Sequence, residues 1–283
     1  MDIFTAGRDF VRLNARLVES RLFATVFEDA DPHGVVDALR GYQNADGGFG
    51  HGLEPDKRCP DSLALDVEVA FDTLLTAGAR DDGMIRRGVD WLGLTANSEG
   101  AVALCSPVIE QYPRAEHISD WTYQPALNPT AGLVGRLHKL GIDHPWRAKA
   151  GAWCAAELAK GFPEDSHGML ESLAFLEHTD DVDFDRVREW LPKLTLYRAD
   201  AADASYGVTP LQFAPTPDSV WRPLFTEAQL EAHLDRLLAD QQPDGGWAIT
   251  WEPPGAASTL AYRGIATVGA LRTLKAYNRL PTN

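Results

Sequence analysis

An all-α, single-domain chain of paired helices is the fold this sequence predicts, on three observations. Apolar residues recur every three to four positions through most of its length. Capping residues and helix-stopping glycines punctuate that rhythm, and no alternating β pattern runs long enough to compete. A glycine-rich turn near one end returns near the other, each time between two helices, as in arrays of helical hairpins. A length of 283 residues suits one large domain or two small ones. The two long loops, 96–127 and 198–225, are rich in aromatics and poor in Gly/Ser runs, unlike interdomain linkers. One domain over residues 1–283 is therefore expected.

The elements follow in order. Residues Phe4 to Glu28 place Phe10, Leu13 and Leu17 on one helical face. "DPHGVVDALRGYQ" opens with an Asp31 cap and Pro32 in the first turn. "SLALDVEVAFDTLLTAG" opens at Ser62, carries Val67, Ala70, Phe71, Leu74 and Leu75 on one stripe, and stops at Gly78. "DDGMIRRGVDWLGL" is another helix. "NPTAGLVGRLHKLGI" and "DHPWRAKAGAWCAAELAKGF" form a pair, with Asn128 and the His144–Trp146 segment read as caps and packing. "SHGMLESLAFLEHTD" and "DFDRVREWLPKL" form the next pair, and the acidic run Asp180–Asp185 between them reads as a capping turn. "TEAQLEAHLDRLLADQQ" and "ASTLAYRGIATVGALRTLKAYNRL" close the chain. "YGVTPLQFAPTP" is extended but broken by proline.

Charge and cysteine content narrow the partners. With 41 acidic against 26 basic residues the net charge is −15, which disfavours nucleic acid or an anionic membrane surface, since phosphate binding needs clustered Lys and Arg. A small-molecule substrate is expected instead. Cys59, Cys105 and Cys154 lie far apart and form no CxxC, arguing against a disulfide framework and a structural zinc site. The first twenty residues carry charges throughout, unlike a signal peptide. No run approaches the ~20 apolar residues that cross a bilayer, so no integral membrane contact is expected and the cytoplasm is the default location.

The turn "QNADGGFG", Gln43 to Gly50, recurs as "QQPDGGWA", Gln241 to Ala248. The pattern Q-x-x-D-G-G-[FW] leading into an apolar helix resembles the α/α-toroid repeats of terpenoid cyclases and protein prenyltransferase β subunits. The matching residues are Gln43, Asp46, Gly47, Gly48 and Phe49, then Gln241, Asp244, Gly245, Gly246 and Trp247. The resemblance implies an α/α toroid, complete or incomplete, with a central cavity. It also implies that the motif is structural: Gln and Asp bind helix ends and backbone, the glycines permit the turn, and the ring stacks on neighbouring repeats. The families' chemistry does not carry over. Aligning Asp61-Ser62 on the end of the D-x-D-D sequence puts Arg58, Cys59 and Pro60 at the other positions, and Asp56 with Cys59 has the wrong spacing for the prenyltransferase zinc site.

What remains is the tail of the first turn, "GHGLEPD". His51, Glu54 and Asp56 lie within one short loop and could serve as general acid/base or hold a divalent metal. The plainer alternative is that Glu54 and Asp56 cap the next helix and pair with Lys57 or Arg58. Glu54-Pro55 is echoed by Glu252-Pro253, so Trp247, Trp251 and Glu252 are candidates for a second wall of one pocket. Asp61, Glu68 and Asp72 fall along one side of an inner helix. Trp121 and Tyr123, with Gln124, offer an aromatic platform for a ligand or a lid. G-x-G-x-x-G, G-x-S-x-G and H-E-x-x-H are absent, and no cofactor is required.

The leading expectation is a terpenoid-cyclase-like enzyme, a lyase or isomerase, working by acid/base chemistry on an apolar or polycyclic small molecule. His51, Glu54 and Asp56 are its candidate catalytic residues; Asp61, Trp121, Tyr123, Trp247, Trp251 and Glu252 are its candidate substrate contacts. A carbohydrate-active toroid enzyme (glycosidase, lyase or epimerase) and a non-catalytic ligand- or protein-binding toroid are the alternatives.

Overall fold

The long N-terminal helix is in fact two, and the break has a cause. α1 (Ile3–Asn14) stops where Ala15 and Arg16 turn extended, and α2 (Leu17–Phe27) restarts beyond them. The break points the Arg16 guanidinium at the first glycine-rich turn, where it donates to the carbonyls of Gly52 and Leu53 at 2.9 Å each. It also pairs with Glu19 at 2.5 Å. Periodicity alone does not reveal a break made for such an anchor.

The computed structural model describes residues 2–179 and 182–280. Asp180 and Asp181 of the acidic run lie outside them; Asp183 caps its helix as expected, accepting from Arg186 N at 2.9 Å. The remaining helices are α3 (His33–Arg40), α4 (Ala64–Ala77), α5 (Asp82–Thr95), α6 (Leu127–Lys139), α7 (Pro145–Lys160), α8 (Ser166–Leu176), α9 (Phe184–Trp190), α10 (Pro210–Phe213), α11 (Glu227–Ala239) and α12 (Ala256–Ala276). Among the described residues there are no strands, only isolated bridges. Short polar caps start the helices: Asp81 accepts from Met84 N at 2.9 Å, and the His144 ring accepts from Trp146 N at 3.1 Å. Gly78, in the left-handed conformation, ends α4. Ser62 does not open α4; its hydroxyl donates to Asp46 in the preceding turn at 2.7 Å. The segment read as extended holds α10, a single turn with a Thr209–Gln212 capping box. Four residues are too few to show a period.

The architecture is an α/α toroid of helical hairpins. α2, α4, α6 and α8 pack in succession as inner helices, and α12 packs back on α2 while α1 packs on α12. Two hydrophobic clusters fill the space between inner and outer helices, one centred on α4–α7 and one on α8–α12. The α6–α8 contact is close because Gly135 has no Cβ to strike the Ala174 carbonyl.

Both glycine-rich turns do the same structural work. Gln43 Nε2 donates to its own turn at Gly47 O and to Met84 O in the first turn of α5, both at 2.9 Å. Gln241 Nε2 donates to Gly245 O at 2.9 Å and to Ile3 O, at the start of α1, at 2.8 Å. Phe49 and Trp247 are buried. Each turn thus docks on the start of an outer helix, and the second joins the end of the chain to its beginning. Gly245 sits at φ +90°, where a Cβ would strike the Ala6 carbonyl. Gly245→Ala is accordingly expected to lower unfolding free energy by about 1–3 kcal/mol from backbone strain, before the clash is added, as read by urea denaturation.

Candidate functional site

The loop after the first turn, residues 53–58, runs against residues 113–115. Arg58 N donates to Pro113 O at 2.9 Å and Ala115 N to Asp56 O at 2.7 Å. This pairing carries His117, from a short 3₁₀ turn, up to Asp56. The result lies at the end of the toroid where α4, α8 and α12 begin.

Glu54, Lys57 and Asp66 form a buried ion triad. The Lys57 ammonium, wholly buried, is 2.8 Å from Glu54 Oε2 and 3.0 Å from Asp66 Oδ2. Asp66 Oδ1 also accepts from Glu54 N at 2.8 Å. Tyr262 of α12 donates its hydroxyl to Glu54 Oε1. Burial alone pushes the Glu54 carboxyl upward, but Lys57 and the Tyr262 hydroxyl outweigh it and hold it below its ordinary range. Burial weighs on Lys57 too, yet Asp66 and Glu54 keep it firmly protonated. Asp66, fully enclosed, is pushed up to about 6 by burial despite Lys57.

Asp56 stands beside this triad, buried but in contact with a half-open imidazole. Its side chain is 5% exposed, and Oδ2 lies 3.3 Å from Nε2 of His117, whose side chain is 40% exposed. The Trp251 indole N–H donates to the other oxygen at 2.9 Å. The bond to Asp56 raises the His117 pKa above its ordinary value, more than partial burial lowers it. A carboxylate behind an imidazole, one face of which meets solvent, is an arrangement for moving protons. Aromatic rings frame it: Trp121 edge-on to His117 at 5.8 Å, and Trp251 T-shaped against Tyr262 at 4.9 Å and Tyr206 at 5.4 Å.

Farther along the inner helices the interior stays ionic. Arg136 of α6 lies 2.9 Å from Glu68 and 2.6 Å from Glu171, and its Nε is 3.5 Å from Asp72. Gly132 makes room, since a side chain there would occupy the Glu171 carboxylate's place. Burial and the facing Glu171 carboxylate push Glu68 well up. Glu171 feels the same burial but is held below its ordinary range by Arg136. The two facing carboxylates are thus driven in opposite directions, Glu68 upward and Glu171 downward.

The sequence-derived candidates separate accordingly. Glu54 and Asp56 meet, and Trp251 joins them. His51 does not: it occupies a left-handed turn position, is exposed, and bonds Asn44 Oδ1 through Nε2 at 2.8 Å. Among the described residues no three His, Cys, Asp or Glu side chains gather to hold a metal, His51, Glu54 and Asp56 included. Asp61 lies in the loop before α4 rather than on the helix, accepting from the Tyr112 hydroxyl at 3.3 Å. Tyr123 donates to Glu110 at 2.9 Å and packs with Trp121 on a small cluster under loop 96–127. Trp247 is a core residue whose N–H donates to Leu237 O at 2.8 Å. Glu252 lines a cleft of about 610 Å³ with Trp251, Asp244 and Arg263, and makes no contact with Asp56 that the structure records. Sequence reasoning did not single out His117 or Tyr262, which the structure brings against Asp56 and Glu54, and took Lys57 only as an ion-pair partner.

No protein-family model and no curated protein sequence matches the chain. Solved structures do match. A protein from Actinoplanes has a TM-score of 0.61 at 16% identity, with 96% of this chain and 98% of that one covered. The type II terpene cyclase MstE from Scytonema, without ligand, has a TM-score of 0.59 at 13% identity, with 98% of each chain covered. The fold is terpenoid-cyclase-like. An arginine-to-alanine variant of MstE, in complex with its substrate geranylgeranyl dihydroxybenzoate, matches with a TM-score of 0.56 at 12% identity over 97% of each chain. Among the described residues, no helix is long and apolar enough to cross a membrane.

Proposed function

We propose that this chain is an acid/base enzyme on the terpenoid-cyclase scaffold, acting on a compact, polar small molecule at the inner-helix N-terminal end. The observation that carries the reading is the Asp56–His117 pair: an enclosed carboxylate orients a half-open imidazole and stabilises its protonated form. The polarity of the interior supports the substrate class. A long polyene in the ring would have to lie against Asp72 and the Glu68–Arg136–Glu171 cluster, stripping water from the exposed Asp72 and offering none of these groups a bond in return. A hydroxylated or oxo-substituted ring can bond those groups and stack on Trp251, Tyr206 or Trp121. This matches the carbohydrate-like alternative better than the apolar one.

The second reading, a cyclase of prenylated compounds, is favoured by the full-length likeness to MstE, including its complex with a prenylated dihydroxybenzoate. Incubation in D₂O with two panels, hydroxylated or oxo-substituted rings and prenylated aromatics, separates the two by mass spectrometry. Deuterium incorporation confined to the first panel is expected. Cyclised products confined to the second would transfer the assignment to the terpenoid reading, and no change in either would leave a binding protein.

A further inference from the structure

A second histidine, with a hydrogen-bonded tyrosine, connects to the same cluster. His167, in the first turn of α8, accepts or donates through Nε2 to the Tyr206 hydroxyl at 3.0 Å, and the two rings stack at 5.6 Å. Tyr206 is T-shaped against Trp251, whose indole N–H is bound to Asp56, itself bound to His117. His117, Asp56, Trp251, Tyr206 and His167 form a continuous series of contacts drawn from five separate segments. Tyr206 is 38% exposed.

We propose that Tyr206 and His167 form the base that faces the acid His117, so that the site removes a proton from one position of its substrate and returns one at another. This deepens the acid/base reading above and rests on it. The substrate gives a proton to the Tyr206 oxygen as the phenolic proton passes to His167 Nε2. It receives one from the His117 ring nitrogen turned away from Asp56. Solvent then returns His167 to neutral and His117 to its protonated form. Atoms and charge balance, no electrons change hands, and the product is an isomer. The substrate class is a ring bearing a C–H made acidic by a neighbouring carbonyl.

The surroundings of the two histidines set them apart. His117 faces Asp56 first and Glu54 behind it, and both favour the imidazolium. His167 is held below its ordinary value by burial, against opposing pulls from Asp165 and Glu171, with a smaller downward push from the charge of His117. The N-terminus of α8 also disfavours a cation there. Groups pushed in opposite directions at one site are the mark of an acid and its base.

Histidine titration by NMR on the full chain tests the pairing without a substrate. His117 should titrate above 6.5 and His167 below it. Tyr206→Phe, which keeps the stacked ring, should raise the His167 midpoint and leave His117 in place, while His117→Gln should raise His167 by removing a nearby cation. A His167 midpoint at or above 6.5, or one unmoved by both substitutions, overturns the proposal. On a substrate found with the D₂O panels, His167→Gln should abolish the acid limb of the pH profile and His117→Gln the alkaline limb. Persistence of the acid limb in His167→Gln refutes the second pair alone, whereas a wild-type protein that turns over nothing refutes the acid/base reading itself.

Discussion

Lys57→Met is expected to lower unfolding free energy by about 3–5 kcal/mol, the usual consequence of leaving buried carboxylates without their cation. Methionine fills nearly the same volume, so the loss reports charge rather than a cavity. Its pH dependence is the specific signature. Asp66 has a folded pKa near 6 against an ordinary 3.8. Its raised pKa stabilises the fold fully below 3.8, an advantage lost as pH rises through about 6. Glu54 runs the other way: its depressed pKa contributes stability above 4.5 that disappears as pH falls through the folded value. Without Lys57 both carboxyls are governed by burial and both penalise the fold as they ionise. The deficit of Lys57→Met should therefore be small near about pH 4 and largest near about pH 7. Urea denaturation at the two pH values checks this, and a deficit independent of pH would mean that the ammonium does not sit between the two acids.

Asp56→Asn is expected to cost about 10²–10⁴ in turnover, the range supplied by a positioned acid/base group, with little change in melting temperature. Asparagine retains an oxygen for the Trp251 indole and the backbone bond from Ala115 N. What it removes is the negative charge behind His117. The imidazole pKa should fall toward its ordinary value, and the alkaline limb of the pH profile should move down with it. His117→Gln should lose a similar factor, and the double variant should lose little more than either single one, because residues acting as a unit are not additive. A double variant whose losses multiply would place the two residues in separate roles.

The parts of this molecule legible in its sequence are those fixed by local backbone needs. The two glycine-rich turns were readable because a left-handed glycine and a glutamine bonded to its own turn leave a compact motif. Glu54 and Asp56 stood out because a turn does not need them. His51 stood out for the same reason, yet its positive φ turns it toward Asn44, and nothing in the spacing distinguishes inward from outward on such a turn. His117 reaches Asp56 only through a backbone pairing between two loops far apart in sequence. The Arg136–Glu171 contact needs Gly132 on one inner helix opposite Glu171 on the next, a fact of ring order rather than of either helix. Many of the aromatic side chains lie in the clusters between helices, while Glu68, Arg136 and Glu171 pair across the inner helices, a pairing set by ring order that neither helix shows alone.

The central claim is that Asp56 and His117 move protons on a small molecule at the mouth of this toroid. Its most direct test is the rate of solvent-deuterium incorporation by the wild type and by Asp56→Asn, side by side on the same substrate. We expect incorporation by the wild type and a rate at least about 100-fold lower in the variant, at unchanged melting temperature. Equal rates in the two proteins would contradict the claim.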